Sequence, residues 1–238
     1  GACPVGTTVR GEVSMGSMTT NVNSNDSLTE FLSDTGEKLA VFYLQGELAV
    51  TMQDMMITGD NYGVVINGEM PAKVNLNSVV LNELMGGALY IQGELADVKA
   101  YSVTVQNTKL QADLDQGKGM RLYDGMLEIE RSFIENNYFA GITCDAKIDS
   151  AVFAKMSLNN SVIVDGKPCP AGSRNEGING QGLMAWRCDP TINKVLIDNN
   201  SFYGIYYGFR ATFKDGSVIT GELSTEKEMF YVNKLVAA

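Results

Sequence analysis

The stretch IDNNSFYGI, residues 197–205, repeats almost letter for letter IENNYFAGI, residues 134–142. Both read Ile, acid, Asn, Asn, any, Phe, any, Gly, Ile. Weaker copies, an apolar residue followed by Asn and then by small and apolar residues, begin at Ile57, Val80, Val105 and Leu158. The steps between successive anchors all fall in the twenties except the last, from Leu158 to Ile197, which is far longer. A period in the low-to-middle twenties is the length a chain needs to write a strand, a turn and two more short strands. One such coil cannot bury its own inward face, so coils must stack, strand on parallel strand, around a shared core. Their sharp corners require a positive φ, which Asn tolerates better than other residues with a Cβ. Stacked asparagines can also hydrogen-bond to one another. The spacing therefore predicts Asn82, Asn107, Asn136, Asn159 and Asn199 as corner residues.

These asparagines, with the apolar-x-apolar pattern around each over about residues 39–235, resemble the right-handed parallel β-helix proteins, the pectate-lyase-like superfamily in its broad sense. The resemblance implies an all-β solenoid of about 7–8 coils. FIEN at 133–136 and GGALY at 86–90 are also similar to repeats of bacterial surface adhesins. The superfamily includes lyases, hydrolases, esterases, tailspikes and non-catalytic surface proteins, so it implies architecture and not activity. An antiparallel β-sandwich is the competing architecture, since it too has short strands broken by turns.

Residues 1–38 differ in texture and read as an N-terminal cap. Gly, Ser, Thr and Asn dominate up to residue 25, as in a loop or short cap strand. NDSLTEFLSDTGEK, residues 25–38, then predicts a short capping helix, with Ser27 and Glu30 as a capping box and Gly36 as the stop. Residues 39–238 form the predicted β-helix.

The long step to Ile197 predicts a loop inserted at about 166–190. Its content is rich in Gly and Pro and holds the single Trp of the chain. Cys169 and Cys188 lie near its ends, and a disulfide between them would stabilise the loop by about 3 kcal/mol on the chain-entropy view. Trp186, Arg187 and Asp189, with Arg174 and Glu176, form a candidate sugar-binding group. The indole offers a flat apolar face and the charged groups offer directed hydrogen bonds. Packing of Trp186 onto the wall is the alternative role. Tyr203 and Tyr207 share one strand face and join the candidate ligand-binding residues, whereas Tyr206 takes the other face.

Composition narrows function by exclusion. Eighteen basic and 28 acidic residues leave a formal net charge of -10, which repels phosphate backbones and argues against nucleic acid as a partner. With no histidine, the commonest general base and metal ligand is missing. No apolar run is long enough to span a membrane. The four cysteines lack CxxC spacing, so zinc is not expected and disulfides in an oxidising compartment are. Cys3, in GAC, is similar to the lipidated cysteine of bacterial lipoproteins and offers an anchor at a cell surface.

Asp113 with Asp115, and Glu128 with Glu130, place two carboxylates on one strand face, yet in so acidic a chain they read as solvated surface. Arg121, Arg131, Lys147 and Arg210 are the cations open to a lyase mechanism, in which calcium would help hold a uronate. The expectation is thus a secreted or surface-displayed module without cofactor that binds a polysaccharide or protein surface and self-associates through an uncapped β-helix end. A polysaccharide lyase is the alternative.

Overall fold

The computed structural model describes residues 40–59, 62–110, 117–146, 153–167, 180–201 and 204–206 in full. It also describes the backbone of short strands at 13–15, 207, 210–212, 218–220, 231–232 and 235–236. Among the described residues all regular structure is strand. The predicted capping helix, Cys3, Cys169 and residues 168–179 lie outside them.

After β1 (Val13–Met15) the chain writes one order repeatedly. β2 (Ala40–Gln45) leads to β3 (Leu48–Gly59), and β4 (Tyr62–Asn67) to β5 (Ala72–Leu84). The long second strand is then split by a corner. β6 (Gly86–Gln92) is followed by β7 (Ala96–Tyr101) and β8 (Thr104–Gln106), and β9 (Gly117–Tyr123) by β10 (Met126–Glu130) and β11 (Phe133–Glu135). β12 (Ala140–Asp145), β13 (Ala154–Asn159) and β14 (Val162–Val164) come next, and then β15 (Gln181–Ala185), β16 (Cys188–Asn193), β17 (Leu196–Asp198) and β18 (Ile205–Tyr207). First strands pair with first strands, parallel and in register, and make wall A. Second strands make wall B, and the third segments wall C, again parallel throughout. An antiparallel sandwich is thereby excluded.

Walls B and C alternate buried and exposed residues, as in β7 with Ala96, Val98 and Ala100 inward. Ile57, Leu81, Val105, Ile134, Ile163 and Ile197 stack in one inward column, none more than 4% exposed. Burial of each such side chain stabilises the stack by about 1.5–3 kcal/mol. Two predicted anchors are corrected by this register. Val80 is the outward neighbour of Leu81, and Leu158 belongs to wall B, where it pairs with Ile192. Along the true column the rungs lengthen steadily toward the C-terminus, with no single outsized step.

Two corners are built from non-glycine residues of positive φ. Between walls B and C stand Asp54, Ser78, Ser102, Arg131, Asn160 and Lys194, with φ from 48° to 54°. Between walls C and A stand Glu83, Asn107, Asn136, Asp165 and Asn199, with φ from 52° to 57°. Asn107, Asn136 and Asn199 thus stand at this corner with positive φ. Asn82 precedes the corner residue Glu83, although its Oδ1 accepts from Asn107 Nδ2 at 3.0 Å. Asn159 lies on wall B, joined to Asn193 at 3.3 Å, and Asp165 holds the place assigned to it. Asn136 Nδ2 donates to Asn107 Oδ1, and Asn199 Nδ2 to Asp165 Oδ1 at 2.5 Å.

The second asparagine of each nonamer turns inward and clamps the rung before it. Asn137 Oδ1 accepts from the Thr108 N–H at 3.3 Å, and its Nδ2 donates to the Val105 carbonyl at 3.2 Å. Asn200 repeats the arrangement with the Gly166 N–H at 3.0 Å and the Ile163 carbonyl at 3.3 Å. The glycine near the end of the first nonamer, Gly141, has its own reason, shared with wall A glycines on other rungs. A Cβ on Gly63, Gly119, Gly141 or Gly182 would stand 2.3–2.8 Å from a carbonyl oxygen of the next rung. The repeated nonamer is thus a corner and a clamp written in sequence, and in its first copy a close approach as well.

The longer connections in the chain all join strands of wall A. Connections 107–116 and 165–180 precede β9 and β15, and 146–153 follows β12. The predicted loop at 166–190 is accordingly shorter, since residues 181–185 and 188–190 are strand, in register with β12 and β13. The predicted disulfide is also corrected. Cys188 is bonded to Cys144 across the buried corner of walls A and B, with Cα atoms 5.8 Å apart, and is not available to Cys169. Cys144 stands on an inward row of wall A beside Ala185, and the chain needs only the turn 186–187 to bring Cys188 under it.

Both ends carry antiparallel strands. β1 pairs with β2, and after the hairpin of β19 (Arg210–Thr212) and β20 (Val218–Thr220), β21 (Tyr231–Val232) pairs with β18 and β22 (Leu235–Val236) with β17. The end expected to be open is edge-paired on walls A and C by the chain itself.

Candidate functional site

Wall A differs from the others because its outward residues are withdrawn from water as well. At its start Ala40, Tyr43, Tyr62, Val65 and Tyr90, none more than 3% exposed, form a second apolar cluster on the outer side. Further along the outward rows turn polar. Tyr90, Arg121, Thr143, Met184 and Tyr206 succeed one another in register, and Gln92, Tyr123 and Asp145 form the next row, continued past Ala185 by Trp186. Three long connections between rungs all join this wall, at the start of β9 and β15 and at the end of β12.

Arg121 is held between two rings, its guanidinium carbon 4.9 Å from the Tyr90 centroid and 5.5 Å from that of Tyr123. Such contacts fix a cation without neutralising it. Lys118, at the edge of the same wall, places its ammonium 4.8 Å from the Phe139 ring. Asp145 Oδ1 accepts from the Ala146 N–H at 2.8 Å. Burial pushes the Asp145 carboxyl above its ordinary range, opposed by that N–H and by the charges of Arg121 and Arg187. Burial also raises the Tyr123 hydroxyl, aided by the charges of Asp145 and Asp124. Thr143 Oγ1, Gln181 Oε1 and Trp186 Nε1 are buried without a hydrogen-bond partner. Orphaned polar atoms of this kind cost about 1–3 kcal/mol each and mark places where a ligand's polar groups would be welcome.

The raised carboxyl gives a pH dependence of definite sign. A carboxyl raised above its unfolded value of 3.8 stabilises the fold fully below that value, and the contribution is lost as pH rises through the folded value. Asp145→Asn should therefore be more stable than the parent at about neutral pH, and the gain should vanish by about pH 3.5. Urea midpoints at the two pH values decide it, and an equal difference at both would contradict the assignment.

The predicted trio at 186–189 is divided between walls. Trp186 is half-buried on wall A, its ring 5.8 Å from that of Tyr206 and its backbone N–H donating to the Cys144 carbonyl at 2.8 Å. Arg187 occupies the turn between walls A and B with φ 40°. Asp189 points out from wall B, in register with Lys155, and lines a shallow recess of about 490 Å³ with Asp97, Lys99, Met126, Glu128, Ser157 and Thr191. Arg174, Glu176 and Tyr203 lie outside the described residues, as do Asp113, Asp115 and Lys147. Tyr207 is described by its backbone, in register with Ala185 on the inward row.

Glu128 and Glu130 do face outward from wall B, with Glu128 3.5 Å from Lys99. Tyr90, Tyr123, Thr143 and Asp145 were not singled out by sequence. The signal that finds them is the register of wall A, which no spacing in the sequence displays because the connections between its strands are so unequal in length.

Among the described residues no group of three or more acidic or cysteine side chains converges as a metal site, and no helix is long and apolar enough to cross a membrane. No protein-family model matches the chain, no curated protein matches it, and no solved structure matches it.

Proposed function

We propose that the chain is a right-handed parallel β-helix, pectate-lyase-like in the broad sense, secreted or surface-displayed, and that it binds an extended polysaccharide along the outer side of wall A. The observation that supports this reading is the row of Arg121 between Tyr90 and Tyr123, beside Asp145 and the unpartnered polar atoms of Thr143 and Trp186. The half-exposed rings of Tyr123, Trp186 and Tyr206 suit sugar rings, the Arg121 guanidinium and the Asp145 carboxyl suit hydroxyls or a uronate, and a row repeating about every 4.8 Å suits a polymer. A buried disulfide is compatible with an extracellular setting.

A polysaccharide lyase is the second reading, favoured by the nearness in register of Arg121 and Asp145, a cation and a carboxyl of raised affinity for its proton on one face. In it Arg121 or Lys118 would face the sugar's α-proton, and calcium would be held by substrate and carboxylates together. One experiment separates the readings. Neutral and acidic polysaccharides are presented in affinity gels, and ultraviolet absorbance is followed with and without chelator. Retention that falls about tenfold in Arg121→Ala, without new absorbance, supports the binding module. Chelator-sensitive absorbance supports the lyase, and no retention of any glycan with no turnover sinks both.

A further inference from the structure

Wall C presents an apolar stripe to solvent. Met56, Val80, Thr104, Phe133, Val162 and Leu196 stand at one outward position on six successive rungs, each in register with the next. Met56 is 60% exposed and Phe133 37%, and the other four are partly exposed. At the usual strand spacing the stripe runs about 24 Å. An exposed row of this length, apolar at every position but Thr104, calls for a partner surface.

The charges beside the stripe say what kind. Two residues before it on each rung stand the corner residues, among them Arg131 and Lys194; two residues after it stand Glu135 and Asp198. One border is therefore basic and the other acidic on the same two rungs. Arg131 is 62% exposed although its Nε lies 3.6 Å from Glu130.

A second copy laid face to face about a two-fold axis parallel to the stack brings each basic border against the partner's acidic border at equal height. Arg131 then meets Glu135 of the other copy, and Lys194 meets Asp198, each twice. If the second copy runs the opposite way, like borders meet, and only Asp54 at the first rung finds an opposite charge, in Lys194. Four ion pairs outweigh two. We infer that wall C is the interface of a parallel homodimer in which two stripes pack together with both stacks running the same way. The symmetry is isologous, so it closes at two copies.

The net charge of -10 per chain opposes association at long range, so the dimer should be studied at about physiological salt, where that repulsion is screened beyond about 8 Å. Sedimentation of the whole chain should show a dimer. Phe133→Glu, at an exposed site, should raise its dissociation constant about a hundredfold or more while leaving the thermal unfolding of the monomer unchanged. Lys194→Glu should weaken it about tenfold, and Asp198→Lys added to Lys194→Glu should restore it.

Rescue by Asp54→Lys in place of Asp198→Lys would overturn the parallel arrangement. A parent chain that sediments as a monomer, or a Phe133→Glu chain that remains a dimer, would overturn the interface itself. So would a parent monomer that instead gains mass on lipid vesicles or on an added protein.

Discussion

Replacing both Cys144 and Cys188 with alanine should lower the unfolding free energy by about 4 kcal/mol, the chain-entropy value for a sequence separation of 44. Each of the two is 1% exposed within the main core, so lost packing adds to the lost crosslink. Cys169→Ala provides the control. With Cys188 bonded to Cys144, it should leave the denaturant midpoint unchanged, whereas a loop closed between Cys169 and Cys188 would make it as damaging as Cys188→Ala. Chemical denaturation of the three variants, with and without reductant, reads the result, and reductant should have no effect on the double alanine chain.

Asn137→Leu should be the most damaging single replacement at the corners, by about 2–5 kcal/mol. The branching at Cγ is conserved, and the loss comes chiefly from leaving the Thr108 N–H and the Val105 carbonyl unsatisfied in a site where Asn137 is 1% exposed. Asn200→Leu removes the same two contacts from Gly166 and Ile163, but at a half-buried position where water can replace them. It should cost only about half as much. Equal losses at the two positions would show that the clamp acts through backbone conformation and not through buried polar pairing.

These two residues also show how far the sequence could be read. The twin asparagines announced a repeating corner because Asn has a physical reason to be there, and the parallel register followed from the period. The corner between walls B and C announced nothing. Asp54, Ser78, Ser102, Arg131, Asn160 and Lys194 share a backbone conformation and no chemistry, because a small cost in φ is outweighed by the packing of the residue that follows, which is buried at every one of these positions but the first.

Anchors were misplaced at Val80 and Leu158 for a related reason: with alternation of period two, the neighbouring residue or wall offers an equally apolar letter. The disulfide was assigned by closeness in sequence, whereas the register of Cys144 with Ala185 chooses the partner. The candidate site was legible only at Trp186 and Arg187 and, as an available cation, at Arg121. Asp145 is one carboxylate among many in an acidic chain, and nothing in its neighbours' letters foretells its burial.

The antiparallel strands at the two ends bear on assembly. A stack of identical parallel rungs is, in effect, a one-dimensional crystal, and its natural fault is to keep growing by adding any chain that can extend the lattice. A strand laid in reverse on the terminal rung is a lattice defect, since it satisfies the edge while presenting the wrong polarity to the next layer. With such defects at β2, β17 and β18, those edges of walls A and C cannot template a further parallel rung.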